Sequence, residues 1–116
     1  MTAYEVAVQG QPPVAVMTLT GQVDRDAMGS LTAAYEDAVR SDPRVVLLDF
    51  SKVDYINSTG IALIVGILGR ARAENRRVFA SGLSSHYEHI FSITRLSDFI
   101  QIYSDVDAAV DGAAHS

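Results

Sequence analysis

Asn57, Ser58 and Thr59 stand between one apolar run, Val45–Phe50, and another that begins at Ile61 and ends at Gly69. Two hydroxyls and an amide at such a junction mark the start of a helix. There the first backbone N–H groups lack intrahelical acceptors, and the dipole end is positive. Adding or removing a phosphate on Ser58 would change that surface sharply, so Ser58 reads as a switch site. Capping by the same residues is compatible with this role. Hydrolytic chemistry at Ser58 is disfavoured, because no Gly-x-Ser-x-Gly elbow surrounds it and no His–acid pair is apparent.

Other chemistry-bearing residues carry weaker signals. His86 and His89 lie three apart on an expected helix, whereas zinc-protease histidines lie four apart, and no third ligand is near in sequence. They read as a solvated helix face. Arg70, Arg72, Arg76 and Arg77 form a basic cluster. It reads first as a helix end complementing the dipole, and alternatively as a rim that steers an acidic partner. Asp49 and Asp54 precede the Asn57–Thr59 turn, but the acidic pocket and lysine of a phospho-aspartate receiver are not laid out.

The positioning elements follow from periodicity and turn chemistry. Tyr4–Gln9 and Val14–Thr20 read as strands, with Gly10–Pro13 as the turn of a hairpin. Gly21-Gln-Val-Asp24 closes the second strand, and Asp24 or Asp26 is placed to cap a helix over Ala27–Arg40. Pro43 ends that helix. Val45–Phe50 reads as a central strand covered on both faces. A second helix runs from Ser58 to about Asn75, and Arg77–Ser81 is a strand closed by Gly82. A third helix starts at Ser84 or Ser85 and runs through Ile93. Phe99–Tyr103 is a last strand, and a last helix spans Asp105 to about Ala113, with Asp105 as its cap. The order β-β-α-β-α-β-α-β-α implies an α/β fold with a mixed, mostly parallel sheet and right-handed crossovers. Residues 1–116 form a single domain, with a core over about 4–111 and a loose tail at 112–116.

On a wheel at about 100° per residue, the second helix gathers Gly60, Leu63, Ile64, Ile67 and Ala71 on its core side. Ser58, Ile61, Ala62, Val65 and Gly69 gather on the other. A surface helix ordinarily carries charge there. A small, apolar outer face reads as a docking patch, against the plainer reading of a helix buried on both faces. Small residues at Ala62, Gly66 and Gly69 would let a partner backbone approach closely.

At 116 residues the chain is one domain, and 48% hydrophobic residues suffice for its core. A net charge of −5 disfavours nucleic acid or an anionic membrane as the main partner. There is no cysteine, which fits the cytoplasm. No signal peptide is expected at the N-terminus. The longest apolar run is less than half of the roughly 20 residues that cross a bilayer.

Gly21-Gln-Val-Asp24, Val45–Phe50 and Asn57-Ser-Thr-Gly-Ile61, in this order and spacing, resemble the STAS domain of bacterial anti-sigma factor antagonists. The resemblance spans roughly Val6 to Ala109. It implies a binding protein, not an enzyme, with no cofactor. By the same resemblance Ser58 is the phosphoacceptor. The partner is a serine-kinase anti-sigma factor, which binds the unphosphorylated antagonist and then releases it on phosphorylating Ser58. A metal-dependent serine phosphatase resets the switch. The partner surface would comprise Asp24, Asn57, Ser58, Thr59, Gly60, Ile61, Ala62, Val65 and Gly69. Asn57 departs from the family's usual acidic residue, and Ala62 replaces a usual glycine. The alternative is a STAS ligand-binding or scaffolding module, indifferent to phosphorylation.

Overall fold

The computed structural model describes residues 5–9, as backbone, and residues 14–114. The expected turn at Gly10–Pro13 lies outside the described residues. Strand β1 (Glu5–Gln9) pairs antiparallel with β2 (Val14–Val23). Strands β2, β3 (Val45–Ile56), β4 (Arg77–Ser81) and β5 (Ile100–Tyr103) run parallel, and the sheet order follows chain order. Helices α1 (Met28–Ala38), α2 (Ser58–Ala73) and α3 (Ser85–Ile93) are the crossovers, and α4 (Val106–Ala114) follows β5. Right-handed crossovers that always advance in one direction place their helices on one face.

Alternation along the strands separates two cores. Ala15, Met17, Val46, Leu48, Val78 and Ala80 face α1, α2 and α3 in the larger one. Val14, Val16, Val45, Leu47 and Phe79 face the opposite way, where Ala109 and Ala113 of α4 cover them. Every residue of Val45–Phe50 is buried, as a strand packed on both faces requires.

Several element ends differ from the sequence reading. The first helix, expected over Ala27–Arg40, is observed as Met28–Ala38 between two 3₁₀ turns, Arg25–Ala27 and Val39–Ser41. β3 continues six residues past Phe50, because Ser51–Ile56 still pairs with the end of β2 although most of its side chains are in water. β2 likewise continues through Val23, past register shifts at Thr18/Thr20 and Gly21/Gln22. Gly21 has a φ of 77°, a conformation that favours glycine, and so sits naturally in this irregular strand end. The last helix, α4, ends at Ala114, in line with its expected end at about Ala113, so residues 112–114 of the expected tail are helix. Ala113 is 1% exposed, so packing on the second core keeps those residues helical.

Two of the four arginines of the basic cluster, Arg70 and Arg76, are tied down by ion pairs. Tyr35 on α1 donates to Glu74 Oε1 at 2.8 Å, and Arg70 stacks over the Tyr35 ring. Arg76 donates to Glu74, Asp42 and the Pro43 carbonyl. Burial, with Glu74 beside it, pushes the Tyr35 hydroxyl up to about 12, so it stays a neutral donor at ordinary pH. This clamp fixes the C-terminal end of α2 against α1.

Candidate functional site

Two neighbouring parallel strands, β2 and β3, end side by side, with Val23 opposite Ile56. From Val23 the chain enters a 3₁₀ turn, Arg25–Ala27; from Ile56 it enters α2. The two exits are stitched together. The Asn57 N–H donates to the Val23 carbonyl at 3.3 Å. Gly60 lies against that same carbonyl so closely that a Cβ there would overlap the carbonyl oxygen and come within 2.8 Å of its carbon. Only glycine permits this approach, which explains its place directly after Ser58 and Thr59.

Each exit has its own side-chain cap. Asn57 is extended and its Oδ1 accepts the Gly60 N–H at 2.8 Å. Asp24 is extended too and its Oδ1 accepts the Asp26 N–H at 3.0 Å. Asn57 thus caps α2 without placing a charge at the helix start. From α3, the Tyr87 hydroxyl accepts the Ile56 N–H at 2.9 Å, which pins the last strand residue before the turn.

Ser58 is the first residue of α2, and its side chain is exposed, within reach of another protein. Thr59 is exposed as well, and lines a polar depression of ≈ 320 Å³ with Asp24, Arg25, Asp26 and Asn57. The structure therefore brings Asp24 together with Asn57 and Thr59. Phosphate on Ser58 would meet the positive helix end, free backbone N–H groups and a neutral cap.

The outer face of α2 is open. Ala62, Val65, Gly66 and Gly69 are exposed, and Val65 is 46% exposed. Ile61 is the exception among the expected face residues: it is half-buried and packs on the main core. Gly60 faces inward, so its part is to seat the turn. A Cβ at Gly66 or Gly69 would meet nothing within 4 Å. Packing within this chain does not require those glycines. Gly66→Ala and Gly69→Ala should each raise stability by about 0.5–1 kcal/mol, read as a higher denaturation midpoint. A partner whose backbone lies on this face should bind both variants less well.

Sequence reasoning missed Tyr87, whose contact with Ile56 spans 31 residues along the chain and leaves no local signal. Helical spacing puts Met28 with the apolar residues of α1, but it is 53% exposed at the start of that helix, and Tyr55, two residues before the turn, is 51% exposed. His86 and His89 are exposed, and among the described residues no cluster able to hold a metal ion occurs.

A family model described as the STAS domain matches residues 5–109. The chain belongs to the STAS domain family. This STAS domain is 29% identical over 94 residues to an anti-sigma-B factor antagonist of Listeria monocytogenes, covering 81% of this chain and 82% of that one. Its fold is shared with the anti-sigma factor antagonist SpoIIAA in its unphosphorylated form, at a TM-score of 0.74 and 15% identity, covering 98% of this chain and 99% of that one. An anti-sigma factor antagonist from Mycobacterium paratuberculosis superposes with a TM-score of 0.77 at 18% identity, covering 99% and 97%. These two likenesses concern the fold. No helix among the described residues of this STAS domain is long and apolar enough to cross a membrane.

Proposed function

We propose that this STAS domain is a cytoplasmic anti-sigma factor antagonist whose binding is switched at Ser58. Unphosphorylated, it docks the Ser58 turn and the outer face of α2 on a serine-kinase anti-sigma factor, which frees that factor's sigma factor. The kinase transfers a phosphoryl group from ATP to the Ser58 hydroxyl, and the complex separates. A metal-dependent serine phosphatase hydrolyses the ester and restores binding.

One observation carries this reading. The Ser58 hydroxyl is exposed at the mouth of α2, beside an open apolar face and the capped Asp24 turn. The domain supplies a presented hydroxyl and a rigid mount, and the kinase supplies the chemistry. Asn57 is compatible with that division of labour, because a substrate residue needs no base of its own when the enzyme brings one.

The test uses the purified domain with its kinase partner and ATP, read on a phosphate-affinity gel. Wild type should shift to a slower band, and Ser58→Ala should not. Ser58→Ala should remain bound through the ATP incubation, while wild type dissociates. A shifted band in Ser58→Ala, or equal release of both proteins, would refute the assignment.

A further inference from the structure

At the far end of α2 from Ser58 lies a cleft of ≈ 730 Å³ between the last turns of the helix, the start of β4, a 3₁₀ turn (Leu96–Asp98) and the start of β5. We propose that this cleft docks an acidic segment of a partner protein, one that carries apolar side chains between its carboxylates. The inference goes beyond the phosphorylation reading: of the residues assigned to the switch face, only Val65 and Gly69 also line the cleft.

Charge is the first argument. The chain as a whole carries −5, yet the cleft is lined by four arginines, Arg72, Arg76, Arg77 and Arg95, against one acid, Asp98. Two of these cations are already neutralised, Arg76 by Asp42 and Glu74, and Arg95 by Asp98. Arg72 and Arg77 are paired with no carboxylate among the described residues. Arg72 stacks over the Phe99 ring, and Arg77 stacks over Phe79 while donating to Gln101. Their guanidinium groups are held in place by rings, with charge left over for an incoming carboxylate.

Apolar exposure is the second argument. Phe99 is 57% exposed and Val65 46% exposed on the cleft, above Leu68 and the buried Leu96 and Ile100. Exposed aromatic and arginine side chains around an apolar floor are the composition of an interface centre. A single small anion would satisfy one guanidinium and leave Phe99 and Val65 wet. A segment with several carboxylates and intervening apolar side chains covers both. β5 is the end strand of the sheet, so an extended segment can lie along it.

The probes are a short peptide alternating glutamate with leucine and a control alternating lysine with leucine. Both are titrated into the isotope-labelled whole domain by amide NMR, with affinities from fluorescence polarisation. The acidic peptide should move the amides of Leu68, Arg72, Phe99 and Gln101 and leave Asn57–Gly60 in place. It should bind at least about ten-fold tighter than the control. Phe99→Ala should weaken it by about ten-fold or more, and the double variant Arg72→Glu, Arg77→Glu should reverse the preference for the two peptides. Ser58→Asp should bind the acidic peptide as wild type does, so failure here and failure of the switch are separable. The proposal is overturned by equal binding of the two peptides, by shifts elsewhere, or by absence of binding. It is also overturned if benzoate alone gives the same shifts at the same affinity, or if the domain self-associates through this face and Phe99→Asp makes it monomeric.

Discussion

Ser58→Glu should lose binding to the kinase partner by at least about a hundred-fold while the domain itself melts at nearly the wild-type temperature. The two halves of this result have different physical origins. In the free domain the new carboxylate lies at the exposed start of α2, where the helix dipole and unpaired N–H groups favour an anion by about 0.3–1 kcal/mol. Asn57 is uncharged and adds no repulsion. Stability therefore changes little, or rises. In the complex the same carboxylate is carried into a dry interface. An unpaired buried charge costs about 3–5 kcal/mol, and each 1.4 kcal/mol is a factor of about ten in affinity. Isothermal titration against the partner, paired with thermal melts of each variant, separates the halves. A variant that binds normally, or one that fails to bind because it has unfolded, would contradict the local mechanism.

Gly60→Ala should be the most damaging small substitution in the site. Its Cβ would be driven onto the Val23 carbonyl, a backbone group that cannot turn aside as a flexible side chain can. That carbonyl also accepts the Asn57 N–H. Relief requires α2 to move away from the end of β2, which separates the two capped exits. Overpacking of this kind typically costs about 1–3 kcal/mol and occasionally more; contact with backbone puts this case at the upper end. Out of a total of roughly 5–15 kcal/mol, that is a large share, and the melting temperature should fall by roughly 10 °C or more. Gly66→Ala on the same helix meets open space and should move the melt the other way. Equal effects from the two substitutions would show that helix propensity, and not the approach to Val23, governs this helix.

Much of this arrangement is legible in the residues themselves. The run Val45–Phe50 announces a central strand, and the spacing within α2 announces the side, with Gly60, Ile64, Ile67 and Ala71, that faces the core. The caps are legible in part: Ser84 and Asp105 each accept a backbone N–H near a helix start. At α2, however, the acceptor is Asn57 and not Ser58 or Thr59, and Asp24 caps the 3₁₀ turn while α1 has no side-chain cap. What local pattern cannot carry is pairing over distance. Ser51–Ile56 looks like a polar turn, yet it is strand because β2 runs alongside it. Residues 112–114 read both as the end of a helix and as the start of a tail, and the helix wins because Ala113 packs in the second core. Ile61 sits on the outer side of an ideal wheel, but the core reaches far enough around α2 to half-bury it. The cleft beyond Gly69 joins α2, β4 and β5, and its arginines are spread over 24 positions of sequence, from Arg72 to Arg95.

The cap at Asn57 has one more consequence. An amide has no proton to gain over the ordinary acid range, whereas a carboxylate in the same position would take one up in sufficient acid. The hydrogen bond that starts α2 therefore keeps the same strength as the medium sours, and acidification does not unlatch this end of the helix.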